Sequence, residues 1–329
     1  MSMREKITEI IANDLHRIPD EKRDSNRRFY YADYKDNLIH PMVDKHFREY
    51  NAADGGEMEA KGDRPAKMAS IASSSAMTFN LLGNEKIVMK QGQGFAAGTY
   101  DISYEKQMHT LNIGSNPANL DAFLANEAAG EAIFCEMKMM EWLGKPGALK
   151  AAYLDAKNYF CEDAFKVFSA IAKALRSTDT PNKDDAYPSV FTQYDAWQMF
   201  KHTLAIYNAT SHTTKEGFNQ VKTKNPIKSM AGQFKKITLA NVVFEMDLAL
   251  IEDETLRSAY AAALELEHRE AARFIDVMLT TKVDGMGLQE LFQKNCGADF
   301  DICYRSAADF VAMFEKTEDE RDYLKRYCC

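Results

Sequence analysis

The chain has 329 residues, 46% of them hydrophobic and 27% charged, which is enough to bury one large core or two modest ones. A formal charge of -8 excludes a surface coated in positive potential for non-specific nucleic-acid binding, though not a local basic groove. No apolar run approaches the roughly 20 residues that a membrane helix needs, so no membrane partner is expected.

The opening stretch MSMREKITEIIANDLHR reads as an amphipathic helix over 3–16, with Ile7, Ile10, Ile11 and Leu15 on one side. Its charged residues interrupt any signal-like apolar segment, and a cytoplasmic location is the expectation. Basic residues gather at 22–28 and 215–236, and acidic ones at 251–270 and 315–322; solvated faces account for most runs of this kind. Residues 51–64 are polar and glycine-containing and read as a connection. A helix is expected over 66–82, with a serine triplet inside it and Gly83-Asn84 ending it.

From 85 to 141 the pattern changes to short strand-like runs, IVMK, TYDISYE, NLDAFLA and AIFCEMK, as in a meander. Helical spacing returns at 147–175 and again at 190–208, separated by a loop at 177–189. Residues 237–250 read as a buried strand and a connection, 253–280 as a long helix, and the remaining C-terminal part as helical. The six cysteines, at 135, 161, 296, 303, 328 and 329, fit neither a disulfide framework nor paired zinc spacing and are expected as thiols. Cys328-Cys329 lacks the form of a prenylation signal.

The segment PANLDAFLANEAAGEAIFCEMKMMEW, residues 117–142, carries the strongest chemical signal. Closing a hairpin symmetrically about the NEAAG turn sets Leu124 opposite Ile133, Phe123 opposite Phe134, Asp121 opposite Glu136 and Asn119 opposite Lys138. Opposed residues of an antiparallel pair have Cβ atoms about 4.5–5.5 Å apart. Two carboxylates that close either take up a proton or need a cation between them. An oxygen-coordinated divalent ion meets that need, and Lys138 on the same side could orient a water or stabilise phosphate charge. The competing reading is a surface salt-bridge cluster, against which stands the apolar setting of Glu136 and Lys138 in AIFCEMK. Glu141, three residues past Lys138, would face away unless the strand ends there.

Asp121 followed by Glu136-Met137-Lys138 resembles the PD-(D/E)XK nuclease superfamily. SSSAMTFN at 73–80, YEKQM at 104–108, PANLD at 117–121, CEMKMMEW at 135–142 and QMFKH at 198–202 occur in the order of a restriction-endonuclease-like branch of it. The resemblance spans residues 55–205 and departs from the pattern in placing Ala118, Asn119 and Leu120 between the proline and Asp121. It implies an α/β fold with a restriction-endonuclease-like αβββαβ core and a mixed sheet, plus N- and C-terminal helical additions. Residues 1–54 would be the N-terminal extension, 55–250 the core and 251–329 a helical region packed on it.

The implied activity is Mg2+-dependent hydrolysis of DNA, with Mn2+ as a substitute. Asp121 and Glu136 would hold the metal, Glu105 would be a further metal or outer carboxylate, and Lys138 would position the attacking water. Gln198, Lys201 and His202, within about one helical turn, would reach the scissile phosphate or support Lys138. Related nucleases often act as homodimers. The alternatives are a catalytically silent nucleic-acid-binding or interaction protein that keeps the fold, and a mostly helical scaffold with a small sheet.

Two other signals lead nowhere. GQGFAAG at 92–98 resembles a dinucleotide-binding turn but is followed by a strand-like run instead of a helix. A di-iron bundle uses two Glu-x-x-His pairs plus two further Glu, so a lone Glu265-x-x-His268 reads as a histidine at the core edge. Ser73, Ser74 and Ser75 lack a nucleophile-elbow context and read as capping or packing residues; Glu57 and Glu59 precede them as minor candidates for an acidic contact.

Overall fold

The computed structural model describes residues 1–52, 56–60, 62–113, 117–214 and 229–327. Most of the basic run at 215–236 and the Cys328-Cys329 pair lie outside the described residues. In chain order the helices are α1 (Met3–Ile10), α2 (Asp44–Ala52), α3 (Ser74–Leu82), α4 (Glu162–Leu175), α5 (Ala196–Thr210), α6 (Glu254–Thr280), α7 (Leu288–Cys296), α8 (Ala307–Ala312) and α9 (Glu318–Leu324). The strands are β1 (Lys86–Met89), β2 (Gly98–Met108), β3 (Ala118–Asn126), β4 (Glu131–Lys138), β5 (Ala148–Lys150), β6 (Ala186–Pro188), β7 (Lys236–Val243) and β8 (Asp299–Ser306).

Six strands form one mixed sheet in the order β1-β2-β3-β4-β7-β8, while β5 and β6 pair separately. The first four are an antiparallel meander. β7 joins β4 in parallel and β8 joins β7 in parallel, so the chain crosses over through α4 and α5 between β4 and β7. The order α3, β2–β4, α5, β7 agrees with the αβββαβ expectation, although a mixed sheet between helices is common to many folds.

The sheet separates two cores. One packs Phe134, Leu239 and Phe300 against α4 to α7 through residues such as Phe168, Phe200 and Phe274. The other packs Leu124, Ile133 and Val242 against Ile7, Met77 and Phe79. β4 and β7 are buried nearly throughout, as strands covered on both faces must be.

The hairpin register agrees with the symmetric closure: Leu124 pairs with Ile133 and Phe123 with Phe134, whose rings lie 4.8 Å apart. Its turn end is fastened by Glu131, whose buried carboxylate accepts from the Ala96 amide at 2.6 Å and from the Tyr100 hydroxyl, with Lys236 Nζ at 2.9 Å. GQGFAAG is accordingly an anchored loop that leads into β2.

Several boundaries differ from the sequence expectation. The expected helix over 66–82 is a short 3₁₀ turn, Lys67–Ala69, and then α3, which starts where Ser73 Oγ accepts from the Ala76 amide at 3.2 Å. Residues 148–158 form a short strand and 3₁₀ turns, and α4 begins only at Glu162. The expected helix over 190–208 begins at Ala196. The C-terminal part is not wholly helical, because β8 completes the sheet. Its Phe300 and Ile302 alternate into the core along a short strand that only β7 makes stable.

Candidate active site

The carboxylates meet where the sheet ladders are interrupted. Tyr104 pairs with Ala122 and Lys106 with Leu120, leaving Glu105 and Asp121 as the position between them. Ala122 pairs with Cys135 at the last matched position of the hairpin, so Asp121 and Glu136 come next. Glu136 pairs with Asn241, and Asn241 with Tyr304. A single cross-strand row therefore runs Glu105, Asp121, Glu136, Asn241, Tyr304. Pairing of Asn119 with Lys138 does not follow, because the matched positions stop at Ala122 and Cys135.

The backbone is unusual at this row. Glu105 has φ of +51°, a left-handed conformation rare for a non-glycine residue and often found at functional sites. Across from it the apolar alternation of β3 breaks: Leu120 joins the core under α5, while Ala122, two residues on, joins the core under α3. Asp121 fills the break, and its Oδ2 accepts from the Met137 amide at 2.6 Å.

Lys138 and α5 complete the group. Glu136 Oε1 lies 2.6 Å from Lys138 Nζ and accepts from Gln198 Nε2 at 2.6 Å. Lys138 Nζ donates to Gln198 Oε1 at 2.7 Å. His202 Nε2 approaches Glu136 Oε2 to 2.9 Å without the alignment of a good hydrogen bond, and its Nδ1 has no partner among the described residues. Gln198 and His202 are four residues apart and so share one face of α5. Lys201, between them, is half-exposed and forms no hydrogen bond or ion pair with a described residue, so it is not brought into the group.

A cleft of about 440 Å³ opens onto these residues. Glu57 borders it, tied to Lys67 Nζ at 2.8 Å and to Ser75 Oγ at 2.7 Å, and Arg4 and Tyr30 stand at its rim. Ser73 and Ser75 thus cap and tether. Glu59 is exposed and lies outside this cleft. Glu141 also lines the cleft, because β4 ends at Lys138 and a 3₁₀ turn follows; its Oε2 accepts from the Met139 and Met140 amides. Two larger grooves, of about 710 and 740 Å³, contain none of the row. His268 pairs with Glu245 at 2.7 Å, away from this cleft.

The electrostatics divide the carboxyls. Burial and the neighbouring charges of Glu136 and Glu105 push Asp121 well above the usual carboxylate range. Burial, with Glu57 next in weight, pushes Glu105 up to about 8; its carboxylate accepts from Asn119 Nδ2. Burial also raises Glu136, but Lys138 and His202 outweigh it and hold that carboxyl at about 2. Lys138 is pulled down by burial and up, with greater effect, by Glu136 and Asp121, so its ammonium is retained.

This donor set fits a hard divalent cation. Two carboxyls raised by burial and by neighbouring acids are what a cation would relieve, and Asn119 Oδ1 is a buried oxygen with no partner among the described residues. Among the described residues no group of three or more His, Cys, Asp or Glu side chains is placed to hold a metal ion by itself. Mg2+ does not require one, because it usually keeps waters and takes one or two carboxylates plus substrate phosphate.

Sequence reasoning missed Asn241, whose Nδ2 donates to the Glu136 carbonyl at 3.3 Å. An amide inside the apolar run ITLANVVF was the available signal, since a buried polar group needs a partner.

Comparison with known proteins adds a family. No curated protein and no solved structure matches the chain. The model of one family, restriction endonuclease associating with ARP, matches residues 4–225, a segment that holds Glu57, Glu105, Asp121, Glu136, Lys138, Gln198, Lys201 and His202. Since that segment is more than half of the 329 residues, the chain belongs to the family of restriction endonucleases associating with ARP.

Proposed function

We propose that the protein is a PD-(D/E)XK endonuclease that hydrolyses DNA phosphodiester bonds in the 440 Å³ cleft, using Mg2+ or Mn2+ held by Asp121 and Glu136, with Glu105 as a further metal or outer carboxylate. The observation that carries this reading is that Glu105, Asp121, Glu136 and Lys138 line one cleft where adjacent strand ladders are interrupted, in a chain of a restriction-endonuclease family. A structural salt bridge needs one acid and one base; a second and third acid beside them add repulsion unless they take up protons or a cation is present.

When bound, such an ion lowers the pKa of a coordinated water and offsets charge on the phosphate. Lys138 serves to position the attacking water or to donate to a phosphate oxygen. Gln198 holds Lys138 and Glu136 in a fixed relation through both ends of its amide. His202 supports the second oxygen of Glu136. Two copies, one site on each strand, would cut both strands together, so a homodimer on DNA belongs to the proposal.

The test is plasmid cleavage with Mg2+, Mn2+ or EDTA, beside Glu136→Ala and Lys138→Ala. Cleavage should require the metal and disappear in both variants; cleavage that survives both rejects the mechanism. A second reading, a silent DNA-binding protein, draws on the existing occupation of Glu136 by Lys138, Gln198 and His202. Absence of both cleavage and cation binding in the folded protein would favour it.

A further inference from the structure

A second space, of about 60 Å³, shares Lys138, Glu141 and Gln198 with the cleft but contains neither Asp121 nor Glu105. Its remaining walls include Tyr194, Asp195, Asn241 and Glu267. Glu267 comes from α6 and is 2% exposed; Tyr194, in the turn before α5, is 1% exposed. Glu267 Oε2 and the Tyr194 hydroxyl have no hydrogen-bond partner among the described residues. Buried polar atoms with no protein partner, beside a space of this size, are the usual setting of ordered water, each molecule needing about 10–15 Å³ of such volume.

Lys138 supplies the connection. An ammonium has three N–H donors. Two have acceptors in Glu136 Oε1 and Gln198 Oε1, which leaves one without an acceptor among the described residues. The charges around Glu267 come from Glu270 on its own helix, Asp195 at the start of α5, Glu245 after β7 and Lys138 on β4. Burial, followed by the three acids, pushes the Glu267 carboxyl up to about 8, so at neutral pH it is an uncharged donor and acceptor.

We propose that this space is a buried water site that links Glu267 and the Tyr194 hydroxyl to the Lys138–Gln198 pair, and that Glu267 is a positioning residue for Lys138. Glu267 lies beyond the family match at 4–225, and the C-terminal α6 thereby gains a part in the site. The water site stands on geometry alone, whereas the positioning role rests on the function proposed above.

Crystal structures of the full chain, at a resolution that shows waters, are compared with plasmid cleavage by wild type, Glu267→Gln, Glu267→Leu and Tyr194→Phe. Gln reproduces the uncharged acid, and Tyr194→Phe removes one hydroxyl without changing the packing. Ordered water within hydrogen-bond distance of both Glu267 and Lys138 is expected in the wild type and in Glu267→Gln. Glu267→Leu and Tyr194→Phe should lower kcat about tenfold at unchanged KM and unchanged unfolding temperature, while Glu267→Gln stays near wild type. A dry space in the wild type overturns the water site. Wild-type kcat in both Glu267→Leu and Tyr194→Phe overturns the positioning role. If Glu267→Leu does not fold, Tyr194→Phe decides the matter. A wild type that cuts no DNA rejects the endonuclease reading instead, and the water density still decides the site.

Discussion

Lys138 and Gln198 are locked to each other across the junction of β4 and α5, with Lys138 Nζ donating to Gln198 Oε1 at 2.7 Å. The other end of that amide donates to Glu136 Oε1, so one neutral side chain sets the separation of the two charged ones. Gln198→Ala should lower kcat about 10- to 100-fold, the usual cost of removing a residue that orients a functional carboxylate. Plasmid-cleavage kinetics and thermal unfolding, measured together, check this; equal losses in both would mean that Gln198 serves only the fold.

Asp121 and Glu105 predict a falling stability with rising pH in the absence of metal. Both have folded-state proton affinities raised above their unfolded values, Glu105 to about 8. Between the unfolded and folded values the native state binds more protons than the unfolded chain, so stability is full below about pH 4 and is lost as pH rises toward 8. In EDTA the unfolding temperature should decline across that window. Asp121→Asn or Glu105→Gln should reduce the decline, and millimolar Mg2+ should raise the unfolding temperature most at its alkaline end. A flat profile in EDTA would contradict the shared carboxyl row.

Glu49 predicts the opposite slope. It joins α2 to β2, with its Oε2 accepting from the Tyr104 amide at 3.0 Å and lying 2.7 Å from His46 Nδ1, while Lys106 Nζ reaches Oε1 at 2.9 Å. Burial raises its carboxyl, and His46 and Lys106 bring it down to about 2. This contribution is present above about pH 4.5 and lost as pH falls toward 2. Glu49→Ala should destabilise the protein by about 1–3 kcal/mol at neutral pH, because the buried Tyr104 amide loses its acceptor and the part-buried Lys106 ammonium an ion-pair partner. Denaturant unfolding measures it; a loss under 1 kcal/mol would show the cluster to be solvated.

Asn241→Leu removes the side-chain donor to the Glu136 carbonyl while nearly keeping the volume. The stability change should be about 1 kcal/mol, the net worth of an ordinary hydrogen bond. Cleavage should fall further than that, by about tenfold, because the backbone that carries Glu136 is released. Unchanged kcat in a folded Asn241→Leu protein would exclude Asn241 from the site.

The meander and the hairpin register were legible because their contacts are local: an alternating pattern and a short polar turn leave few ways to pair Leu124 with Ile133. The start of α5 was not. Residues 190–195 have helical apolar spacing, yet the amides of Thr192, Gln193 and Tyr194 all donate to the carboxylate of Glu270, more than 70 residues away on α6. That carboxylate satisfies amides a helix would have used, and Asp195 then caps the later start by accepting from the Gln198 amide at 3.1 Å. β8 was missed for a similar reason, since a strand with two buried alternating residues depends on its neighbour β7.

The sequence by itself determined which residues could do the chemistry: an Asp on one strand, Glu-x-Lys on the next, and a polar helix to follow. Those choices depend on residue type and short-range spacing, which a linear chain displays directly. Only the tertiary structure decided that Lys138 is held between Glu136 and Gln198, that Lys201 stays outside, and that Asn241 and Glu267 border the group. Parallel pairing of β4 with β7 and the packing of α5 and α6 join segments far apart in sequence, and no local pattern encodes which side chain of a distant element will face a buried charge.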